Sequence, residues 1–425
     1  MNTDNIQATV DNELCFGCGS CQSLCPSQAI QMKFSALGRL LPSIDEGTCT
    51  HCGLCLKACP GIDVGGELAE ADIASLMGNI DTFWFAKSTN KTIFDNAQSG
   101  GGVTETLSYL FDTQRIDAAL VVGQERHKAA AKVVTEKSGL LSCQSSQYTP
   151  VSLDSELEAL ANYEHVAVVG LPCHIEGITK LKKAFPDKYS NIVYLIGLIC
   201  AGTLAQSCVE VTKNIGEPEI GEIKETDTIY WRSKKYSDYK RSDIAIVGID
   251  DSHRILDNHI RHLAKHQLTA PRCRLCFDKM NLFSDITFGD CWGVSGEDTK
   301  DGGNVILCRT AESSALIAEM AQQGRLSCRP CTLDEIKHGQ GLSQKKNTVE
   351  KMLSVYRAKG LQTPGWAKAF TASATTDKQL TKEVDDYMAR DNGDSAKAVD
   401  NITAKVKKQL FFKKITGKIR KAIGK

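Results

Sequence analysis

The sequence lacks the features that would indicate a nucleic-acid-binding, secreted or membrane-spanning protein. Its 51 Lys and Arg balance its 51 Asp and Glu, and this zero net charge argues against nucleic acid as the main partner. Its start, MNTDNIQATV, lacks the basic and then apolar regions of a signal peptide. Its longest apolar run, IVYLIGLICAG, has about 11 residues, whereas a membrane span needs about 20. We therefore expect a cytoplasmic protein.

Cysteine, by contrast, is abundant. Twelve of the 18 cysteines lie in Cys-x2-Cys-type pairs or runs. Such spacing suits metal ligation in a reducing compartment better than disulfides. At 425 residues the chain also exceeds the usual size of a single core, so two or three domains are expected.

Two cysteine runs near the start have the same pattern. They read Cys15-x2-Cys18-x2-Cys21-x3-Cys25-Pro26 and Cys49-x2-Cys52-x2-Cys55-x3-Cys59-Pro60. In this bacterial ferredoxin spacing, three cysteines of a run bind one [4Fe–4S] cluster and the fourth binds the other cluster. We assign a first cysteine set, Cys15, Cys18, Cys21 and Cys59, and a second, Cys49, Cys52, Cys55 and Cys25. The alternative, a pair of structural zinc sites, would not need the doubled pattern.

The sequence changes in character after these runs. Residues 63–82 are predicted to form a helical linker, and from about 83 short apolar strands alternate with amphipathic helices. The strands are predicted at 116–123, 165–170, 191–200, 285–290 and 304–310. We therefore predict an α+β ferredoxin-like module at 1–62, followed by an α/β domain with a largely parallel sheet. Beyond about 345 apolar anchors are few, so 346–425 is predicted to be a helical, partly disordered tail.

Four further cysteines occupy informative positions. Cys173 follows the predicted strand 165–170, Cys200 closes the strand 191–200, and Cys273 and Cys276 form a Cys-x2-Cys pair. The carboxyl ends of neighbouring parallel strands meet at the crevice where open α/β sheets bind ligands, and four thiolates there could hold a third [4Fe–4S] cluster. Spacing alone does not choose between this cluster and its alternatives, in which Cys173 and Cys200 are core residues and Cys273 and Cys276 form a zinc or redox-active dithiol pair. Cys328 and Cys331 form the second-best pair.

A glycine-rich turn, Ser99-Gly100-Gly101-Gly102, precedes an amphipathic helix. Its backbone amides could approach a phosphate that the helix N-terminus attracts. The stretch matches neither G-x-G-x-x-G nor the P-loop, so it does not indicate a standard dinucleotide or ATP site. The alternative is an ordinary glycine turn in which Ser99 caps the helix.

Taken in order, several segments resemble the beta-subunit family of coenzyme F-420-reducing hydrogenase and F-420-linked formate dehydrogenase. They span about 90–310 and read SGGGVTETLSYLFDTQRIDAALVVG, SSQYTP, VAVVGLPCHIEGITKLKKAFP, LIGLICAG, PRCRLCFDKMNLFSDITFGDCWG and GGNVILCRT. The resemblance implies one domain that binds FAD and a [4Fe–4S] cluster, in two parts at 83–155 and 156–345, with the ferredoxin module in front. It also implies that a third cysteine set ligates the cluster: Cys173, Cys200, Cys273 and Cys276.

The resemblance further implies FAD contacts. They are Ser99, Gly100, Gly101, Thr104, Ser145, Ser146, Gln147, Tyr148, Asp278, Lys279 and Asp290, with Asp285 and Gly289 near the same cavity. The stretch LICAGTLAQ departs from the family pattern, which leaves the substrate side of the site unassigned.

We therefore expect an iron–sulfur flavoprotein oxidoreductase. In this interpretation electrons pass from the ferredoxin-type clusters through a third cluster to FAD, which reduces a small substrate or a deazaflavin coenzyme. The expected redox partner is a ferredoxin or coenzyme F-420, and no catalytic acid or base is identified. Two alternatives remain open: a non-catalytic electron-transfer subunit of a larger redox complex, and an accessory protein of cell-surface polysaccharide biosynthesis.

The C-terminal residues 401–425 are strongly basic, with nine Lys or Arg and no acid. The apolar residues near one side of the predicted helix are Ile402, Val406, Leu410, Ile415, Ile419 and Ile423. Such a helix can lie on an anionic membrane or dock on an acidic partner. It can equally cover the protein's own body, which carries net negative charge, and the pattern does not choose between these.

Overall fold

The computed structural model describes residues 4–64, 68–239 and 242–422. The first of these ranges forms a small module. Its elements are α1 (Gln7–Asp11), α2 (Ser20–Leu24), β1 (Ile30–Phe34), β2 (Leu40–Ile44) and α3 (Leu54–Lys57). The two strands form an antiparallel hairpin. Cysteines contribute much of the small core, in which Cys21, Cys55 and Cys59 are buried with Ile6 and Ile30.

The rest of the described chain contains eleven strands and twelve α-helices. The strands are β3 (Thr82–Ser88), β4 (Ala118–Glu125), β5 (Lys128–Val134), β6 (Val166–Gly170), β7 (Ile192–Leu198), β8 (Thr228–Tyr230), β9 (Ile244–Val247), β10 (His253–Leu256), β11 (Ile286–Asp290), β12 (Asn304–Cys308) and β13 (Leu326–Arg329). The helices are α4 (Glu70–Ser75), α5 (Lys91–Asn96), α6 (Gly102–Asp112), α7 (Pro172–Ala184), α8 (Cys208–Ile220), α9 (His259–Leu268), α10 (Pro271–Leu275), α11 (Ala311–Gln322), α12 (Leu333–Gly339), α13 (Leu342–Ala358), α14 (Lys378–Asp391) and α15 (Ser395–Ala422). Short 3₁₀ helices span Lys137–Cys143, Leu153–Leu160, Glu297–Thr299 and Gly365–Ala369.

The central sheet has eight strands in the order β13-β3-β12-β11-β7-β6-β4-β5. The four middle strands β11, β7, β6 and β4 pair in parallel, and the flanking strands pair antiparallel. Five of the eight strands consequently run in one direction, which confirms the predicted α/β fold with a mainly parallel sheet. The five predicted strands all form. β8, β9 and β10 form a separate antiparallel sheet.

Two of the sequence-based expectations need correction. The segment 63–82 is helical only over Glu70–Ser75, and residues 65–67 lie outside the described ranges. The C-terminal region is helical as predicted, but it is well packed. Met352 and Tyr356 of α13 are fully buried, as is Val406 of α15. The low apolar content of this region suggested partial disorder. One apolar residue in every three or four is nevertheless enough to bury one face of a long helix.

The module is fixed to the rest of the protein by buried polar contacts. Arg39 pairs with Glu13 inside the module (2.6 Å) and with Asp391 of α14 (2.7 Å). Lys180 of α7 donates to the carbonyl oxygen of Cys59 (2.6 Å). These contacts hold the cysteine runs in one position relative to the central sheet. Among the described residues, no helix combines the length and the apolar character that crossing a bilayer requires.

Candidate functional site

Three of the four cysteines of the first set are buried in the module. Cys15 and Cys18 lie in the loop before α2, Cys21 lies within α2, and Cys59 follows α3. Burial, and after it the thiols of Cys18, Cys15 and Cys59, raise the pKa of Cys21 well above its usual range. The structure thus brings a cysteine of the second run to three cysteines of the first run, which is the grouping predicted from spacing.

The second set lines a small cavity near the surface. Cys25, Cys49, Cys52 and Cys55 all contribute to its wall. Cys25 belongs to the first run, so this cavity also combines the two runs as predicted. Cys52 is exposed, and a hydrogen bond from the Leu54 backbone lowers its pKa.

The third set lies at the carboxyl ends of two parallel strands. Cys173 is in the first turn of α7, directly after β6, and Cys200 follows the neighbouring strand β7. Cys273 lies in α10 and Cys276 directly follows it. Burial raises the pKa of Cys173, and the thiols of Cys18, Cys200, Cys273 and Cys276 raise it further. The four cysteines that the family resemblance implied are therefore neighbours.

The three sets follow one another in space. Cys21 of the first set interacts with Cys55 of the second, and Cys18 of the first set interacts with Cys173 of the third. The first set therefore lies between the other two. The line runs from the exposed Cys52 to the crevice at the carboxyl edge of the central sheet.

Backbone amides and lysines favour negative charge at the cysteines. Three amides donate to sulfur at 3.3 Å, one in each set: Ala29 to Cys25, Gly61 to Cys59 and Gly202 to Cys200. The ammonium groups of Lys345 and Lys265 interact with thiols of the third set. Hydrogen bonds and positive charges stabilise a thiolate relative to a thiol. The donor set therefore fits iron–sulfur clusters, which take thiolate ligands.

The glycine-rich turn is largely engaged by the protein itself. Gly101 is the N-terminal capping residue of α6, with a positive φ of 77°. Ser99 does not cap the helix as the alternative interpretation expected; its hydroxyl donates to the carbonyl oxygen of Gly303 (2.5 Å). The amide of Gly102 donates to Oδ1 of Asn304 (2.9 Å). A Cβ at Gly100 would lie 2.5 Å from that same oxygen, so only glycine fits this close approach.

The second predicted FAD segment, Ser145–Tyr148, meets the glycine turn and the end of β11. The amide of Ser146 donates to Oε1 of Gln98 (3.2 Å), the residue directly before the turn. Ser145 donates to the carbonyl oxygen of Arg232 (3.5 Å), and Arg232 forms a 2.7 Å ion pair with Asp290. The structure therefore brings the turn, this segment and Asp290 into one region, joined by Arg232.

The other predicted contacts are placed differently. Asp278 is buried and accepts from the Leu282 amide with both carboxylate oxygens (3.1 Å each), so it holds its own turn. Asp285 accepts from the Leu195 amide (2.7 Å) between β7 and β11, and a Cβ at Gly289 would meet Ile199 at 2.3 Å. Lys279 donates to the carbonyl oxygen of Gln340, whose side chain donates to the Asp290 carbonyl oxygen (2.8 Å). Thr104 lies in the first turn of α6.

A cavity of about 740 Å³ opens beside the second FAD segment. Gln144, Gln147, Tyr230, Lys235 and Tyr236 contribute to its wall. The volume is within the range of small-molecule and cofactor sites. Gln147 is the predicted contact that lines this cavity, whereas the residues of the glycine turn do not.

Several residues around the third set had no signal in the sequence. Arg232 and Lys345 are separated from the cysteines of the third set by tens of residues, and Arg261 and Lys265 precede Cys273 by twelve and eight residues. None of the four belongs to a motif. The second-best pair, Cys328 and Cys331, lies at the edge of the sheet, where Cys328 interacts with Cys308. Only the packing of distant elements brings the four basic residues to the crevice.

A ferredoxin-like module joined through a third cysteine set to the carboxyl edge of an α/β sheet indicates an iron–sulfur protein with an additional α/β domain. Comparison with known families agrees. Residues 14–61 match the 4Fe-4S dicluster domain. Residues 83–158 and 163–333 match the N-terminal and C-terminal models of the coenzyme F-420 hydrogenase/dehydrogenase beta subunit, together more than half of the chain. The chain belongs to the coenzyme F-420 hydrogenase/dehydrogenase beta-subunit family.

Curated relatives and a solved structure are also similar to this chain. Coenzyme F-420 hydrogenase subunit beta of Methanococcus voltae is 28% identical over 304 residues, 68% of this chain and 99% of the relative. Coenzyme F-420-dependent sulfite reductase of Methanocaldococcus jannaschii is 28% identical over 326 residues, 73% of this chain and 46% of the relative. A chain of the F-420-reducing NiFe hydrogenase complex from Methanosarcina barkeri shares the fold, with a TM-score of 0.52, 19% identity and coverage of 68% of this chain and 95% of that chain.

Proposed function

We propose that the chain is an iron–sulfur flavoprotein oxidoreductase that exchanges electrons with a redox partner at the second cysteine set and with a small substrate at the crevice beside the third. The observation that carries this proposal is the spatial order of the sets, since cysteines of the first set interact electrostatically with cysteines of both other sets. When bound, [4Fe–4S] clusters exchange single electrons and FAD couples such steps to two-electron chemistry.

The residues of the chain have distinct parts in this proposal. Exposure of Cys52 lets a partner approach the second set closely, whereas Cys18, Cys21 and Cys59 are buried and shielded from water. In the described ranges, no three Cys, His, Asp or Glu side chains meet closely enough to hold a single metal ion. The doubled ferredoxin spacing favours cubanes over structural zinc, because a zinc site needs four ligands and has no use for the repeated pattern.

The proposal includes the binding of FAD. Its support is the region where the glycine turn, Ser145–Tyr148 and Asp290 meet, together with the neighbouring cavity of about 740 Å³. The Gly102 amide of the turn is already bonded to Asn304. The cavity and the basic residues therefore support FAD binding more strongly than the turn does. Coenzyme F-420 is proposed as the redox partner or the substrate, because the relatives carry it in their names.

Anaerobic purification followed by iron, sulfide and flavin analysis tests the proposal. We expect about twelve irons and one FAD per chain, since three cubanes need twelve thiolates. Replacing Cys200 with Ala should reduce the iron to about eight per chain. Replacing Cys143, a half-buried cysteine outside the three sets, should leave the iron unchanged. Eight irons and no flavin in the wild-type protein would contradict both the third cluster and the flavin.

A second candidate is a relay subunit that turns over no substrate by itself. Its support is that the relative from Methanococcus voltae is named as a subunit and that the structural neighbour is part of a hydrogenase complex. Co-purification with a large partner subunit, together with reduction of the iron–sulfur signals without steady-state turnover, would favour the relay. Turnover of reduced coenzyme F-420 by the isolated chain would favour the enzyme.

A further inference from the structure

Two buried arginines converge on one tyrosine at the edge of the crevice. Arg232 follows β8 and Arg261 lies on α9, and each is only 6% exposed. The Arg261 guanidinium lies over the Tyr148 ring, 4.8 Å from its centre, and Arg232 interacts with the Tyr148 hydroxyl. The two arginines are also close enough for their positive charges to repel.

The positive charge of the two arginines is not balanced within this group. Asp290 forms the 2.7 Å ion pair with Nη1 of Arg232 and also attracts Arg261. The same carboxylate oxygen accepts from Nε1 of Trp292 (3.2 Å). Two cations therefore share one carboxylate that is already used by a third donor, and the group keeps an excess positive charge.

Both arginines also carry nitrogen atoms without a partner. Nη2 of Arg232 and Nε of Arg261 are buried, and within the described residues neither has a hydrogen-bond acceptor. Nη2 of Arg261 lies 3.4 Å from Nε2 of His262. An imidazole carries no negative charge, so His262 does not neutralise the charge of Arg261. A buried cation that lacks acceptors is strongly unfavourable, so an acceptor from outside the chain is expected at this position.

We propose that Arg232 and Arg261 bind an oxyanion, a phosphate or carboxylate group of the molecule that occupies the crevice beside the third cysteine set. Planar guanidinium groups with free N–H donors match the oxygens of such groups. The position suits a ligand of the crevice, because Asp290 ends β11 and because Lys265, one turn after Arg261 on α9, interacts with Cys200 and Cys273.

The inference rests on the proposed function for the location of the ligand, but oxyanion binding can be measured independently. The oxyanion has two sources of the same chemistry: the phosphates of a flavin dinucleotide, or the acid group of a substrate. The probes are inorganic phosphate and pyrophosphate, added to the full cluster-loaded chain that has been stripped of flavin. Thermal unfolding is followed at constant ionic strength, with chloride as the reference anion.

The wild-type Tm should rise with phosphate or pyrophosphate and reach a plateau, because a ligand that binds only the folded state stabilises it. Arg261→Gln should weaken the apparent affinity at least tenfold. Arg261→Lys keeps the positive charge but loses the planar guanidinium, so its apparent affinity should lie between those of the wild type and Arg261→Gln. The control is Arg115→Gln, which removes a positive charge far from the crevice. Arg115 pairs with Glu319 and lies just before the amino end of β4, at the opposite edge of the sheet.

Repeating the titration after saturation with FAD identifies the source. Loss of the response supports the cofactor's phosphates as the oxyanion, and an unchanged response supports the acid group of a substrate. Absence of a saturable response in the flavin-free wild-type protein overturns the inference even if no variant folds, and so does an equal response in wild type and Arg261→Gln. Iron analysis of the same samples separates this outcome from failure of the proposed function: about twelve irons without a phosphate response refutes only the arginine site.

Discussion

Lys345 approaches the third cysteine set from α13, about seventy residues after Cys276 in the sequence. Its ammonium donates to the carbonyl oxygens of Cys273 (3.3 Å) and Arg274 (3.4 Å). Burial lowers the pKa of Lys345, and the thiolates of Cys276, Cys273 and Cys200 oppose that shift. A positive charge in this position favours the more negative redox state of any group that the thiolates hold.

Replacing Lys345 with Met should therefore lower the midpoint potential of one iron–sulfur signal. A loss of about 1.4 kcal/mol of favourable interaction corresponds to about 60 mV for a one-electron couple. Redox titration monitored by electron paramagnetic resonance measures the shift. Lys346→Met removes the same charge from the next, exposed position of α13 and should leave every potential unchanged. Equal shifts in the two variants would contradict a specific effect of Lys345.

At the scale of elements, α15 shows how one helix can carry both a buried and an exposed apolar group. Ile402 and Val406 are fully buried in a cluster with Val209 of α8 and Ala264 of α9. Phe411, one turn further along, is 62% exposed. The first half of the basic helix thus covers the protein's own body, one of the two alternatives from the sequence. The side chains of Ile415, Ile419 and Ile423 lie outside the described part.

A polar substitution should change the free energy of unfolding strongly at Val406 and very little at Phe411. Val406→Asp should destabilise the protein by about 3 kcal/mol or more, because it buries a charge without a partner. Phe411→Ser should change the free energy of unfolding by less than about 0.5 kcal/mol. Urea denaturation of both variants gives the two values. A similar, small effect at both positions would show that α15 does not pack on α8 and α9 in solution.

At the scale of the whole molecule, the line of cysteine sets runs from the surface inward. Cys52 of the second set is exposed, whereas three cysteines of the first set are buried and the third set is half-buried beneath the crevice. Chelators and oxidants reach exposed thiolates and their metal first. The three sets should therefore differ in resistance to metal removal.

Treatment of the anaerobic protein with a chelator should release iron in steps. We expect about twelve irons per chain to fall to about eight before any further loss, because four belong to the second set. Iron analysis and electron paramagnetic resonance at intervals follow the process. Simultaneous loss of all the iron would show that exposure of Cys52 does not control access to the second set.

Local features of this protein could be read from its sequence. The spacing of the two cysteine runs predicted that Cys59 joins Cys15, Cys18 and Cys21, because in the bacterial ferredoxin pattern the fourth cysteine of one run belongs with the first three of the other. The five apolar strands were found for a similar reason, since each carries its own signal of burial. Edge strands such as β5 and β13, which are short or mixed in character, carried no comparable signal.

What only the tertiary structure decided is how these local units meet. Three features join segments that are distant in the chain. They are the electrostatic interaction of Cys18 with Cys173, the approach of Lys345 to the third set, and the convergence of Arg232 and Arg261 on Tyr148. No periodicity or spacing encodes such contacts, because they depend on the packing of whole elements against each other. The sequence by itself determined which cysteines group together, and the packing of the sheet and helices determined in what order the groups stand and which charges surround them.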